Sequence, residues 1–288
     1  MRTYSDYSVS LSTAPVDQGL SYWEKGEGPV LLFLHGALAN GYTWRKVLPD
    51  LSSSFRCIAL HLPLGGHDIP LSRAADLSPA GIAGLIHRFL QYKQISRLIL
   101  VSNDTGNAYA QVYASLYPES LRALIFSNGE VSDVFPPPAF TYLRYAVKLP
   151  LFSFLMGKLL SRPSSLTRPG TFGHLSLRVR QEELSQGYIY TFVRQAGIRR
   201  DFSRAARHWH PSHTLRAASL LRGFRAPVLI LWGDQDTHLF PRAVGEKLLE
   251  VFPGARWVDI PGASTYIQED APEATIEAIA DFASGLRD

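Results

Sequence analysis

The sequence predicts an α/β protein: a mostly parallel sheet core interrupted in its second half by a helical insertion. Three observations carry this expectation. Short apolar runs alternate with segments of helical period between residues 30 and 126. That rhythm stops near Phe135 and resumes at Ala226. The chain has 288 residues, 46% apolar and 19% charged, enough to bury a large core without disulfide staples.

The strand candidates are Val30 to Leu34 (VLLFL), Cys57 to Leu60, Leu98 to Val101 (LILV) and Ala123 to Phe126 (ALIF). Each is short and almost wholly apolar, as a strand covered on both faces must be. Ala80 to Leu90 and Ala108 to Leu116 place apolar residues at helical spacing. After the gap, Ala226 to Trp232 (APVLILW) reads as a strand, Arg242 to Val251 as a helix, Trp257 to Ile260 as a strand and Ala271 to Ser284 as a closing helix. The expected organisation is a core of residues 1–134 and 217–288 with a helical cap, residues 135–216. No internal repeat and no low-complexity tract is present.

Composition narrows the function classes. A single cysteine, Cys57, forms no internal disulfide. The opening MRTYSDYSVS shows neither a basic nor an apolar leader region, so a cytoplasmic protein is expected. The longest apolar stretch, Leu149 to Leu160, contains Lys158 and is well short of the roughly 20 residues of a membrane span. Net charge is +4, unevenly placed: residues 135–216 hold 11 arginines and 2 lysines against 3 acids, a net +10. Arginines facing a pocket would favour an anionic small molecule, and an outward-facing set would serve as a solvated surface or meet an acidic partner or lipid. The basic residues do not form a recognisable nucleic-acid module. Homodimerisation is left open.

The chemistry concentrates at strand ends. Leu98 to Val101 runs into Ser102-Asn103-Asp104-Thr105-Gly106 and then a helix. A strand, a tight turn of small residues and a helix form a nucleophile elbow, which lifts one side chain above the sheet at a helix N-terminus. Asp104 occupies the tip, where the helix dipole and backbone N–H groups stabilise a carboxylate; capping the helix is its simpler role. Upstream, His35-Gly36-Ala37 closes a strand, and its backbone together with the Thr105 N–H could form an oxyanion site.

The ordered set resembles the α/β-hydrolase superfamily. Its members are His35-Gly36, Leu62-Pro63-Leu64-Gly65-Gly66-His67-Asp68, the Asp104 elbow, Trp232-Gly233-Asp234-Gln235-Asp236 and Ile260-Pro261-Gly262-Ala263. An aspartate in the elbow is similar to the haloalkane dehalogenase and epoxide hydrolase branch. That resemblance implies Asp104 as a nucleophile that forms an ester, Asp236 as the supporting acid, and a histidine that activates water. At the histidine position this chain has Thr265, in Gly262-Ala263-Ser264-Thr265. Threonine has no pKa near neutrality and cannot act as the base. Dehalogenases of this branch commonly place Trp where Thr105 stands and a polar amide where Ala37 stands. Epoxide opening in the family uses cap tyrosines, here Tyr142, Tyr145, Tyr188 or Tyr190.

His238, two residues beyond Asp236, and His67 are the histidines that could substitute. The run His208-Trp209-His210-Pro211-Ser212-His213 has a metal-like spacing without the aspartate that accompanies it, so no metal and no cofactor are expected. Three functions remain on this reading. The first is a non-hydrolytic enzyme for a small, largely apolar molecule, with Asp104 as acid, base or electrostatic centre in isomerisation, cyclisation or elimination. The second is a hydrolase of an epoxide, ester or carbon–halogen bond with Asp104 as nucleophile and another base. The third is a non-catalytic ligand-binding protein.

Overall fold

A computed structural model describes residues 10–286; the leader reading of residues 1–9 lies outside them. Eight strands form one sheet in the order β1-β2-β4-β3-β5-β6-β7-β8. They are β1 (Ser10–Ala14), β2 (Leu20–Lys25), β3 (Val30–Leu34), β4 (Arg56–Leu60), β5 (Leu98–Asp104), β6 (Leu121–Gly129), β7 (Val228–Gly233) and β8 (Arg256–Ile260). β1 and β2 pair antiparallel, as do β2 and β4, and the remaining pairs are parallel.

The apolar runs split by alternate residues between two cores. Leu32, Leu34, Ile58, Leu60, Leu98 and Leu100 face one side, and Leu31, Phe33, Cys57, Ala59, Ile99 and Val101 the other. The two-residue period of a strand makes a sheet covered on both faces apolar at every position. β1 and β2 were not anticipated: Leu20–Lys25 ends in Glu24 and Lys25, which pair with Arg56, Lys93 and solvent at the sheet margin, so its pattern breaks halfway.

The sheet order places the site. From β3 the chain moves outward to β4, then returns past β3 to form β5 on its other side. Ligands in open α/β sheets sit beyond the carboxyl ends of strands at such a reversal. Here those ends are the His35-Gly36 turn after β3 and Asp104 at the end of β5, with Leu34 paired to Ser102.

Between β6 and β7 lie helical segments, among them Leu143–Ala146, Phe152–Leu160, Tyr190–Arg194, Ala196–Ala206 and Pro211–Leu221. The last runs through the limit expected at residue 216 and packs on the core helix Gly106–Leu116. Buried ionic clamps tie this insertion to the sheet layer. Arg45 is fully buried between Glu183 (2.8 Å) and Glu269, and Tyr188 donates to Glu269 at 2.5 Å. Burial alone would raise the Glu183 carboxyl; the Arg180 N–H and the Arg45 guanidinium bring it down to about 2. Asp201 makes the second clamp, accepting the Leu71 N–H at 2.7 Å and holding Arg200 at 2.8 Å.

Candidate active site

Asp104 sits at φ 54°, a left-handed conformation that aspartate tolerates better than bulkier residues. Close approach of two chain segments makes the turn possible. A Cβ added to Gly36 would lie 1.8 Å from Asp104 Oδ2, so only glycine lets the β3 turn reach the carboxylate.

His35 braces that turn. Its Nε2 accepts the Leu62 N–H at 2.8 Å, so Nδ1 carries the proton and donates to the Gly36 carbonyl at 2.8 Å. Burial pushes the imidazole down to about 3, which keeps it neutral in this role. The turn directs the Ala37 N–H, with that of Thr105, at the Asp104 carboxylate. His35 and Gly36 therefore support the site without lining its cavity, a correction to their expected place in the pocket wall.

Asp104 is 6% exposed. Burial raises its carboxyl to about 7; the Thr105 N–H, the Tyr266 hydroxyl and the Ala37 N–H oppose the rise, and the charge of Asp236 adds to it. Tyr266 Oη lies 3.4 Å from Oδ2, a contact at the long end of hydrogen-bond range.

A second carboxyl joins it. Glu130 directly follows β6, whose Gly129 is paired with Asp104 across the parallel ladder. Thr105 Oγ1 donates to Glu130 Oε1 at 2.9 Å, while Glu130 Oε2 has no partner. Burial first, and the Asp104 carboxylate second, hold Glu130 well above the usual carboxylate range. Both carboxyls are thus held above the ordinary carboxylate range, Asp104 at about 7 and Glu130 by burial together with the Asp104 charge. Sequence reasoning missed Glu130, although an acid immediately after the strand beside the elbow strand was a usable signal.

Both carboxyls open into a cavity of about 410 Å³ whose wall is otherwise largely apolar, with Leu38, Phe140, Phe172, Leu175, Trp209 and Leu239 among its residues. Ala37 and Thr105 also line it. Among the described residues no Lys or Arg does, which corrects the expectation of an anionic ligand drawn in by cap arginines. Those arginines are engaged elsewhere: Arg200 and Arg204 hold Asp201 and carbonyls of residues 71–75, and Arg199 binds the carbonyls of Phe192 and Val193.

Asp236 and Thr265 are buried against each other, Thr265 Oγ1 donating to Asp236 Oδ2 at 2.5 Å. Asp236 Oδ1 accepts the N–H groups of Leu239 and Phe240 at 3.0 and 3.1 Å. Asn103, beside the elbow aspartate, donates to the Thr265 carbonyl at 2.7 Å, so this pair adjoins the elbow but does not line the cavity.

The substitute histidines lie away from the carboxyls. His238 is exposed and stacked on His174 at 4.2 Å, and His67 is buried 3.4 Å from Asp201. Of the cap tyrosines only Tyr142 lines the cavity. Tyr145 is exposed beneath Arg144 and Lys148, Tyr188 is committed to Thr43 and Glu269, and Tyr190 lies under Arg194. His210, from the metal-like run, caps the helix Pro211–Leu221 by accepting the Ser212 N–H.

An eight-stranded sheet with an aspartate elbow at its reversal, covered by inserted helices, is the architecture of an α/β hydrolase. Residues 29–272 match the alpha/beta hydrolase fold family, and the chain belongs to it. It is 26% identical over 284 residues to epoxide hydrolase 3 of Xenopus tropicalis, covering 92% of this chain and 75% of that protein. It is 23% identical over 273 residues to haloalkane dehalogenase 2 of Mycobacterium tuberculosis, covering 90% of each. Among solved structures, the epoxide hydrolase CorEH superposes with a TM-score of 0.78 at 19% identity, covering 97% of this chain and 100% of that one. A loop variant of the Bradyrhizobium elkanii haloalkane dehalogenase DbeA superposes at 0.76 and 20% identity, with 97% of each chain covered. At those identities the superpositions speak for the fold.

Proposed function

We propose that the protein is an enzyme for a neutral, largely apolar small molecule, in which Asp104 and Glu130 act as a base and acid pair in isomerisation, cyclisation or elimination. One observation carries this reading: the elbow carboxyl is joined by a second buried carboxyl across Thr105, while no histidine hydrogen-bonds to Asp104, Asp236 or Thr265 among the described residues. Asp104, ionised above about 7, takes a proton from the substrate; Glu130, whose carboxyl burial and the Asp104 charge hold well above the ordinary range, donates one at another atom. In isomerisation or cyclisation bonds shift within the substrate, and in elimination the group that Glu130 protonates departs; the proton taken by Asp104 then returns to Glu130, and no water is consumed. The Ala37 and Thr105 N–H groups hold the Asp104 carboxylate in place, and the apolar wall excludes solvent.

A second reading is hydrolysis through an Asp104 ester: esterification removes the Asp104 charge that helps hold the Glu130 carboxyl up, which would free Glu130 to act as the base for water. The unpartnered Glu130 Oε2 favours it, as do relatives named as epoxide hydrolases and haloalkane dehalogenases.

The test begins with a screen of neutral small molecules for turnover and repeats each hit in ¹⁸O-labelled water. Product free of solvent oxygen is expected, and one label per product would instead select the hydrolytic reading. Glu130→Gln should lower kcat by about 10²–10⁴-fold, the span of a lost general acid. The acidic limb of the rate profile should stay near pH 7, because Asp104 carries it. A Glu130→Gln enzyme with unchanged kcat would remove Glu130 from the chemistry.

A further inference from the structure

Thirteen large apolar side chains are exposed among the described residues, and seven of them fall within residues 142–159. Leu149 is 63% exposed, Leu151 68% and Leu155 60%. Scattered exposed leucines need no explanation, but a contiguous set on one segment does.

Leu151 is the sharpest case. It precedes the helix Phe152–Leu160 at φ 65°, where glycine or asparagine is favoured and a bulky side chain is strained. Water and backbone both disfavour leucine there. An apolar phase around the side chain offsets that cost.

Charge surrounds this crest. Residues 135–181 contain no acidic side chain but include Arg144, Lys148, Lys158, Arg162, Arg168, Arg178 and Arg180. Beside the crest, a cleft of about 470 Å³ is lined by Lys148, Leu149 and Pro150 from this segment, by Arg73 and Arg207, and by Arg200 and Arg204, which Asp201 holds from behind. Ser203 also lines it, and the Ser203 hydroxyl is buried without a hydrogen-bond partner. The cleft thus supplies cations, Arg73, Lys148 and Arg207 among them, for a phosphate oxygen. The crest also forms the cavity's outer wall: Leu155 and Leu159 line the cavity and are exposed.

From these features we infer that residues 142–159 and the adjoining basic cleft dock on the surface of an anionic lipid bilayer, with the leucines entering the interface and the cleft meeting headgroup phosphate. Apolar anchors with a polybasic flank are the composition that lipid interfaces select. No helix among the described residues is long and apolar enough to cross a membrane, so the association is peripheral on this face. Docking also sets the cavity entrance against the phase in which apolar molecules concentrate. The inference stands whatever chemistry Asp104 performs.

The experiment is sedimentation of the full chain with vesicles of phosphatidylcholine containing phosphatidylserine, and with phosphatidylcholine alone. Binding is expected to the mixed vesicles, weakened by salt and much weaker on the neutral ones. Lys148→Ala with Arg207→Ala should reduce affinity about 30-fold, at roughly fivefold per basic residue. Leu151→Asn should reduce it about tenfold while leaving the melting temperature unchanged or higher, since asparagine suits the left-handed backbone. Two results would overturn the inference. One is wild-type protein that stays in the supernatant with the mixed vesicles. The other is a lipid-free dimer that Leu151→Asn converts to monomer, which assigns the crest to a second copy of the chain.

Discussion

Asp104→Asn is expected to lose activity on the order of 10³-fold or more and, at pH 8, to be more stable than the wild type. The loss follows from the proposed chemistry, because an amide neither takes a proton nor attacks carbon. The gain follows from the buried charge. Below about pH 4, near the ordinary aspartate value, the carboxyl is neutral in both the folded and unfolded chains. As pH rises toward about 7 it ionises in the unfolded chain and remains protonated in the fold, so stability falls across that window. Above about 7 it is ionised in both, and the full cost is in place. The rise to about 7 corresponds to about 4 kcal/mol, and neutral asparagine removes that cost. Asparagine also accepts the left-handed backbone at this position and can receive the Ala37 and Thr105 N–H groups. Thermal unfolding should show a Tm roughly 5–10 °C above wild type at pH 8, with the difference vanishing near pH 4. A variant less stable than wild type at pH 8 would mean that the carboxylate is held in the fold at no cost.

The second large effect concerns the missing histidine. Given a primary bromoalkane that enters the cavity, Asp104 can attack the carbon, form an alkyl ester and expel bromide. Thr265 is tied to Asp236 and offers no base for the ester's hydrolysis. The alkyl group should therefore remain on the wild-type protein, visible as a mass adduct that Asp104→Asn does not form. Thr265→His places an imidazole beside Asp236, whose Oδ1 is already fixed by two backbone N–H groups. The larger side chain enters a fully buried position and costs about 1–3 kcal/mol in packing. Release of the adduct should nevertheless accelerate by about 10²–10⁴-fold, and the native reaction should not improve. Wild-type turnover of the bromoalkane without an adduct would show that another group, with Glu130 the first to test, already activates water.

How much was legible in the sequence depended on how locally each feature is encoded. β3 to β7 and the helices around them announce themselves because burial on both faces leaves an apolar run, and the elbow because small residues must flank its tip. Asp104 was found this way. β1 and β2 were not, because strands at a sheet margin keep a polar half. Glu130 and Tyr266 escaped because their nearness to Asp104 depends on sheet order: residues 26 and 162 positions away meet only when β6 lies beside β5 and the loop after β8 folds back over the elbow. Charge counting also misplaced the cap arginines. A sum over residues 135–216 says nothing of direction, and the fold turns several of them toward Asp201 and backbone carbonyls.

Infrared difference spectroscopy of the carboxyl groups between pH 6 and 9 tests the central claim, an Asp104–Glu130 pair with pKa values held apart, without any substrate. One protonated carboxyl band should disappear near pH 7 and be absent from Asp104→Asn, while a second outlasts it as pH rises and is absent from Glu130→Gln. A spectrum with no protonated carboxyl anywhere in that range, identical in the two variants, would contradict the account.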